Sequence, residues 1–159
     1  MNWNELSNIQ ADLDLKINLE KQLNHSTYIR EKAIALCVEL GELMNERPFI
    51  FKYWSNKFGD REKALTEYVD GIHFIVSYGN SKEFDFTSYE YKRPKECDQR
   101  DLILGLFNMF ATLPYNNDIE TVLNHYWFLG EKLNFTPEEI KQAYLEKVEV
   151  NKERQANGY

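Results

Sequence analysis

The chain has 159 residues, 43% of them hydrophobic and 14% aromatic, with a formal net charge of −7, which fits a single domain able to build a core. The acidic balance argues against a nucleic-acid backbone or an anionic membrane surface as partner, although a local metal cluster can invert the field at one site and admit phosphates. No apolar run of spanning length and no signal-peptide pattern is present, and the two cysteines, Cys37 and Cys97, lack metal-ligand spacing; the expectation is one domain over residues 1–159 in a reduced, cytoplasmic protein, with Cys37 as a small core residue.

In chain order, Leu6, Ile9, Leu13 and Ile17 give a helical stripe that predicts a first helix over about Trp3–Leu23. Gln10 and Asp14 lie one turn apart on it and can point together, or simply form a solvated face. Ser26 or Thr27 is a candidate cap for a second helix that runs to about Asn45, before Pro48 prevents its continuation. The aromatic stretch Phe49-Ile50-Phe51-Lys52-Tyr53-Trp54-Ser55 reads as a packed connector, whose rings could alternatively wall a base. Asp60 is placed to cap a third helix to about Tyr78, ending before Gly79. Residues 80–97, with Phe84, Phe86, Tyr89 and Tyr91 among polar residues, suit a short hairpin or an ordered loop. A fourth helix is expected from about Asp98 to Leu113, stopped by Pro114, and a fifth from about Asn117 to Lys132. Thr136-Pro137-Glu138-Glu139 combines an N-cap Thr, Pro at the first helical position and Glu at the third, so a sixth helix starts there and runs to about Asn151. The pattern is all-α, about six helices, with no Gly-rich phosphate loop and no arrangement for nucleophilic catalysis.

The chemistry sits on the second and third helices. Glu39-x-x-Glu42 and Glu67-x-x-Asp70 each place two carboxylates on one helix face, about 5–6 Å apart at Cβ. Their neighbours (Leu36, Val38, Leu40 and Leu43 on one helix; Leu65, Val69, Ile72 and Ile75 on the other) are mostly apolar. Buried unpaired carboxylates are costly, and like charges one turn apart repel. A solvated face explains either pair alone; both together, on successive helices, point to a hard divalent cation such as Mg²⁺ serving a nucleotide polyphosphate. Phe74 falls four residues after Asp70 on the same face, and His73 flanks it, more readily as a hydrogen-bonded helper than as a metal ligand.

These residues carry a resemblance that spans nearly the whole chain. Gln10-x-x-Leu13-Asp14, Ala35 through Glu46, Phe51-Lys52-Tyr53-Trp54-Ser55, Glu67 through Phe74, and the tail Lys147-x-x-Val150-Asn151-x-x-Arg154-Gln155-x-x-Gly158-Tyr159 resemble the motifs of the dimeric, all-α dUTPases, within the all-α nucleotide pyrophosphatases. The resemblance implies that Glu39, Glu42, Glu67 and Asp70 hold two or three Mg²⁺ ions and that Glu39 orients or deprotonates the attacking water. It also implies that Gln10 and Asp14 lie near the uracil, that Trp54 and His73 help form the nucleotide pocket, and that Phe74 packs on the deoxyribose. Lys147, Asn151, Arg154 and Tyr159 would close over the phosphates, making residues 147–159 a phosphate-closing motif. The implied reaction is hydrolysis of dUTP to dUMP and pyrophosphate, with dUDP as a second substrate, by a homodimer. A MazG-like pyrophosphatase of other base preference shares the acidic turns but not the His73-Phe74 pair or the tail. A regulatory binding protein on the same fold would be expected to break the acidic quartet.

Overall fold

Asn2, Asp60, Asp98, Asp118 and Thr136 each accept a hydrogen bond from a backbone N–H of the turn that follows, and these caps mark where five of six helices begin. The computed structural model describes residues 1–24 and 27–157, and no strand occurs among them. The helices are α1 (Trp3–Lys21), α2 (Ile29–Asn45), α3 (Arg61–Ser81), α4 (Gln99–Asn116), α5 (Ile119–Lys132) and α6 (Pro137–Ala156), with a short 3-10 turn at Pro48–Ile50. The capping box at the start of α6 is formed as the sequence predicts, Thr136 and Glu139 exchanging bonds. No described helix is long and apolar enough to cross a membrane.

Several boundaries differ from expectation. The residue that caps α2 is Tyr28, without a side-chain bond; Thr27 instead donates to the Asn24 carbonyl at 2.8 Å, and Ser26 lies outside the described residues. Helix α3 continues through Gly79 to Ser81, and Gly79 serves there as a close approach rather than a stop: a Cβ would stand 2.5 Å from the Phe86 ring. Helix α4 passes Pro114 and ends where Asn117 adopts a left-handed conformation and its N–H reaches the Leu113 carbonyl. A proline that late removes one backbone bond and leaves the earlier turns intact. Helix α6 extends to Ala156, beyond the expected stop at Asn151. Residues 82–98 form an ordered loop rather than a hairpin: Phe86 is buried, and both Tyr89 Oη and the Lys92 N–H donate to Asn124 Oδ1 at 2.9 Å.

Helix α3 is central and touches α1, α2, α5 and α6, while α4 closes the bundle against α2 and α5. Helices α2 and α3 run antiparallel, since Lys32 meets Ser77 and Ser81 at one end and Glu39 meets Glu67 and Asp70 at the other. The core is closed by Tyr68 and Tyr126, stacked at 4.8 Å with each hydroxyl donating to the other's backbone carbonyl. That approach demands glycine: a Cβ on Gly71 would stand 2.0 Å from the Tyr126 hydroxyl, and one on Gly130 would stand 2.5 Å from that of Tyr68. Pinning α3 to α5 in this way fixes which face of α3 turns toward α2.

Candidate active site

Helix α2 offers Glu39 and helix α3 offers Glu67 and Asp70, and one ligand oxygen of each lies within 4.8 Å of the other two. Glu42, one turn further along α2, is exposed and forms a side-chain hydrogen bond with Glu67. Crowding and partial burial work against ionisation. Burial, then the charges of Asp70, Glu42 and Glu67, push the Glu39 carboxyl up to about 7. Glu67 is raised by burial and by Asp70 and Glu42, and Asp70 is raised by burial despite two opposing cations of α6. These are Lys147, whose Nζ donates to Asp70 Oδ2 at 2.5 Å, and Arg154.

A cavity of about 590 Å³ opens beside the cluster. Glu39, Asp70, Lys147, Asn151 and Arg154 line one end of it, Ala35 and Phe74 the middle, and Gln10, Asp14, Lys32, His73 and Ser77 the other, where Leu13, Ile17, Leu23 and Tyr28 add apolar wall. The polar end is a connected network. Gln10 Nε2 donates to Asp14 Oδ1 at 2.8 Å, and Ser77 Oγ donates to Asp14 Oδ2 at 2.5 Å. With its amide so oriented, Gln10 Oε1 accepts from the Tyr144 hydroxyl at 3.1 Å and from His73 Nδ1 at 2.7 Å, which places the imidazole proton on Nδ1. His73 stacks on the Tyr144 ring at 3.8 Å, and burial, then Lys147, hold it down at about 3, so it is neutral at physiological pH. His73, 6% exposed and bonded to Gln10, is not part of the Glu39, Glu67 and Asp70 cluster.

The structure therefore brings Gln10, Asp14, His73, Phe74, Lys147, Asn151 and Arg154 to one cavity, together with Glu39 and Asp70. Trp54 is not brought there: it stands 68% exposed in the connector, edge-on to Tyr53 at 4.8 Å. Aromatic density alone does not distinguish a ring in a pocket wall from one on a surface. Tyr159 lies outside the described residues.

Lys32 and Ser77 are among the cavity residues that the sequence does not point to. Lys32 is only 5% exposed, and its Nζ donates to the Ser77 carbonyl at 3.1 Å and to Ser81 Oγ at 2.6 Å. Burial lowers its pKa, and Asp14 opposes that shift. In sequence, a lysine in the first turn of a helix reads as solvated. The available signal was its spacing, seven residues before Glu39, matched by Ser77 seven residues after Asp70, which puts each on its helix's acidic face two turns away.

A family model described as dUTPase matches residues 2–159 of the chain. No curated protein matches it.

Proposed function

Because the chain belongs to the dUTPase family, whose members are dUTP diphosphatases, we propose that it hydrolyses dUTP to dUMP and pyrophosphate with Mg²⁺, and dUDP as well, at the cavity between α2, α3 and α6. The observation that carries the finer reading is the convergence of Glu39, Glu67 and Asp70 within 4.8 Å, opposite Lys147 and Arg154.

The donor set fits a hard divalent cation. All the candidate ligands are carboxylate oxygens, burial and then their mutual repulsion push Glu39 up to about 7, and Lys147 forms an ion pair with Asp70. Glu39, Glu67 and Asp70 would hold the ions, with Glu42 completing the set. When bound, two or three Mg²⁺ ions supply charge neutralisation at the phosphate oxygens and make water a competent nucleophile near neutral pH.

The chain's own groups then have separable tasks. Glu39 is the carboxylate best suited to orient the attacking water and take its proton, since burial and then the neighbouring carboxylates raise it to about 7, near the pH at which a general base works best. Lys147, Asn151 and Arg154 follow one another at helical spacings of four and three on α6 and face the polyphosphate, the lysine as a point charge and the arginine as a planar fork. With Asp70 holding a cation, the Lys147 ammonium would be available to a phosphate oxygen. Phe74 and Ala35 provide an apolar level for the deoxyribose, where a 2′-hydroxyl would lose water without gaining a partner. Gln10, Asp14 and His73 form a pre-organised polar floor for the base.

Product identification tests this directly. The wild type incubated with dUTP and Mg²⁺ is expected to yield dUMP and pyrophosphate, to stop on chelation, and to lose turnover in Glu39→Gln. Release of orthophosphate and dUDP instead would contradict the assignment.

A further inference from the structure

One buried cation, Lys32, has no part in the proposed metal and phosphate chemistry. It is more deeply buried than the other lysines that border the cavity or the acidic cluster. An ammonium has three N–H donors. Two are directed at the Ser77 carbonyl and Ser81 Oγ, and the side chain lines the cavity. Lys32 and Ser77 sit seven residues from Glu39 and Asp70 respectively, on antiparallel helices. At 1.5 Å per residue, that places the Lys32–Ser77 contact about 10.5 Å along the helix axes from the acidic cluster. Ala35 and Phe74 occupy the level between them. A nucleotide whose phosphates lie at the carboxylates and whose sugar lies at Phe74 has the far edge of its base at Lys32. On a pyrimidine that far edge carries the 4-substituent, because the 2-oxo group lies back toward the sugar.

We propose that Lys32 determines base specificity by donating its third N–H to the 4-oxo group of a uracil base. The proposal rests on the dUTP-hydrolysing reading and adds the group that tells uracil from cytosine. Cytosine carries an amino group at position 4, which would set donor against donor in a buried site, and a buried donor left without an acceptor is costly. Ser77 and Ser81 hold the ammonium in place, and Gln10 and Ser77 hold Asp14 beside it as the charge that offsets its burial.

The test compares dUTP, 4-thio-dUTP, 2-thio-dUTP and dCTP in the wild type and in Lys32→Met, which keeps the length of the stem and removes the donor. A thiocarbonyl is a poor acceptor, so the wild type should lose roughly 10- to 100-fold in kcat/KM on 4-thio-dUTP and at least as much on dCTP, and little on 2-thio-dUTP. Lys32→Met should lower dUTP to the level of 4-thio-dUTP and bring the ratio of the two close to one. A purely structural role for Lys32 would lower all four substrates together and leave the ratios standing, which would overturn the proposal. If Lys32→Met does not fold, the wild type alone decides: equal kcat/KM on dUTP and 4-thio-dUTP overturns it. Calorimetric binding of dUMP and dCMP without divalent cation separates this proposal from the function it rests on. If dUTP is not hydrolysed but dUMP is preferred over dCMP and Lys32→Met abolishes the preference, the hydrolase reading falls and the base-reading role stands. If the wild type binds dUMP and dCMP equally, the role of Lys32 is wrong even where dUTP is hydrolysed.

Discussion

At the scale of single residues, Glu39 links stability to pH. Its ordinary value is 4.5, and the fold raises it to about 7. Between those two pH values the folded protein binds more protons than the unfolded chain, so stability of the metal-free protein falls as pH rises through that window and is free of this penalty below it. Glu67 and Asp70, also raised, add in the same direction. Thermal melts in chelator should therefore show a Tm that declines from pH 5 to pH 8, with a shallower decline in Glu39→Gln and a higher Tm for that variant at pH 8; parallel pH profiles would remove the electrostatic account. Because a cation displaces Glu39's proton, stabilisation by Mg²⁺ should grow over the same interval. Asp70→Asn should lower kcat/KM for dUTP by at least about 100-fold, the upper end of what outer-shell changes cause at metal sites, while the variant still folds. Near-normal turnover in Asp70→Asn would discard the ligand assignment. The acidic residues were legible because like charges at helical spacing within apolar surroundings are conspicuous. Lys32 was not, since nothing in a first-turn lysine tells that the helix end will be covered by α3.

Between elements, the α3–α5 contact has no slack. Gly71→Ala places a methyl 2.0 Å from the Tyr126 hydroxyl, and Gly130→Ala one 2.5 Å from that of Tyr68. Each should destabilise the protein by roughly 1–3 kcal/mol in denaturant melts, as overpacking does in well-filled cores. Gly71→Ala adjoins Asp70 and should weaken metal-dependent stabilisation as well, and a Gly71→Ala protein with unchanged stability would show that α3 and α5 can separate freely. Helix α6 carries the second element-scale prediction. Truncation after Val150 removes Asn151 and Arg154 and should reduce dUTP hydrolysis at least about tenfold, the worth of one charged hydrogen bond, while the helical signal and Mg²⁺-dependent stabilisation persist. Full activity would reduce these residues to an ordinary helix end. Helix starts were legible, since Asp60, Asp98 and Thr136 announce them chemically. Helix ends were less so: Gly79 reads as a stop, whereas it makes room for the Phe86 ring, seven residues on in sequence and visible only as a packing partner.

For the whole molecule, a large apolar surface is left on the isolated chain. Ile34 and Val38 of α2 are 64% and 48% exposed, and Leu104 of α4, 68% exposed, lines an apolar depression of about 640 Å³ with Met44, Ile50, Phe51, Ile103 and Phe107. A surface of this kind calls for a partner. We propose a second copy of the chain, so light scattering at micromolar concentration should give twice the chain's 19.0 kDa, and Leu104→Lys should shift it toward the monomer. A wild type that remains monomeric would leave this face unexplained. The all-α class was legible from six apolar stripes and their caps. The way α3 gathers α1, α2 and α6 around one cavity was not, because helical periodicity states which face is buried and not against what. Pyrophosphate release from dUTP, dCTP, dTTP, dATP, dGTP and UTP with Mg²⁺ tests the proposed activity most directly. Release from dUTP should stand well above that from every other substrate and vanish when Mg²⁺ is withheld; comparable release from dCTP or a purine nucleotide, or release without the cation, would contradict a Mg²⁺-dependent dUTP pyrophosphohydrolase.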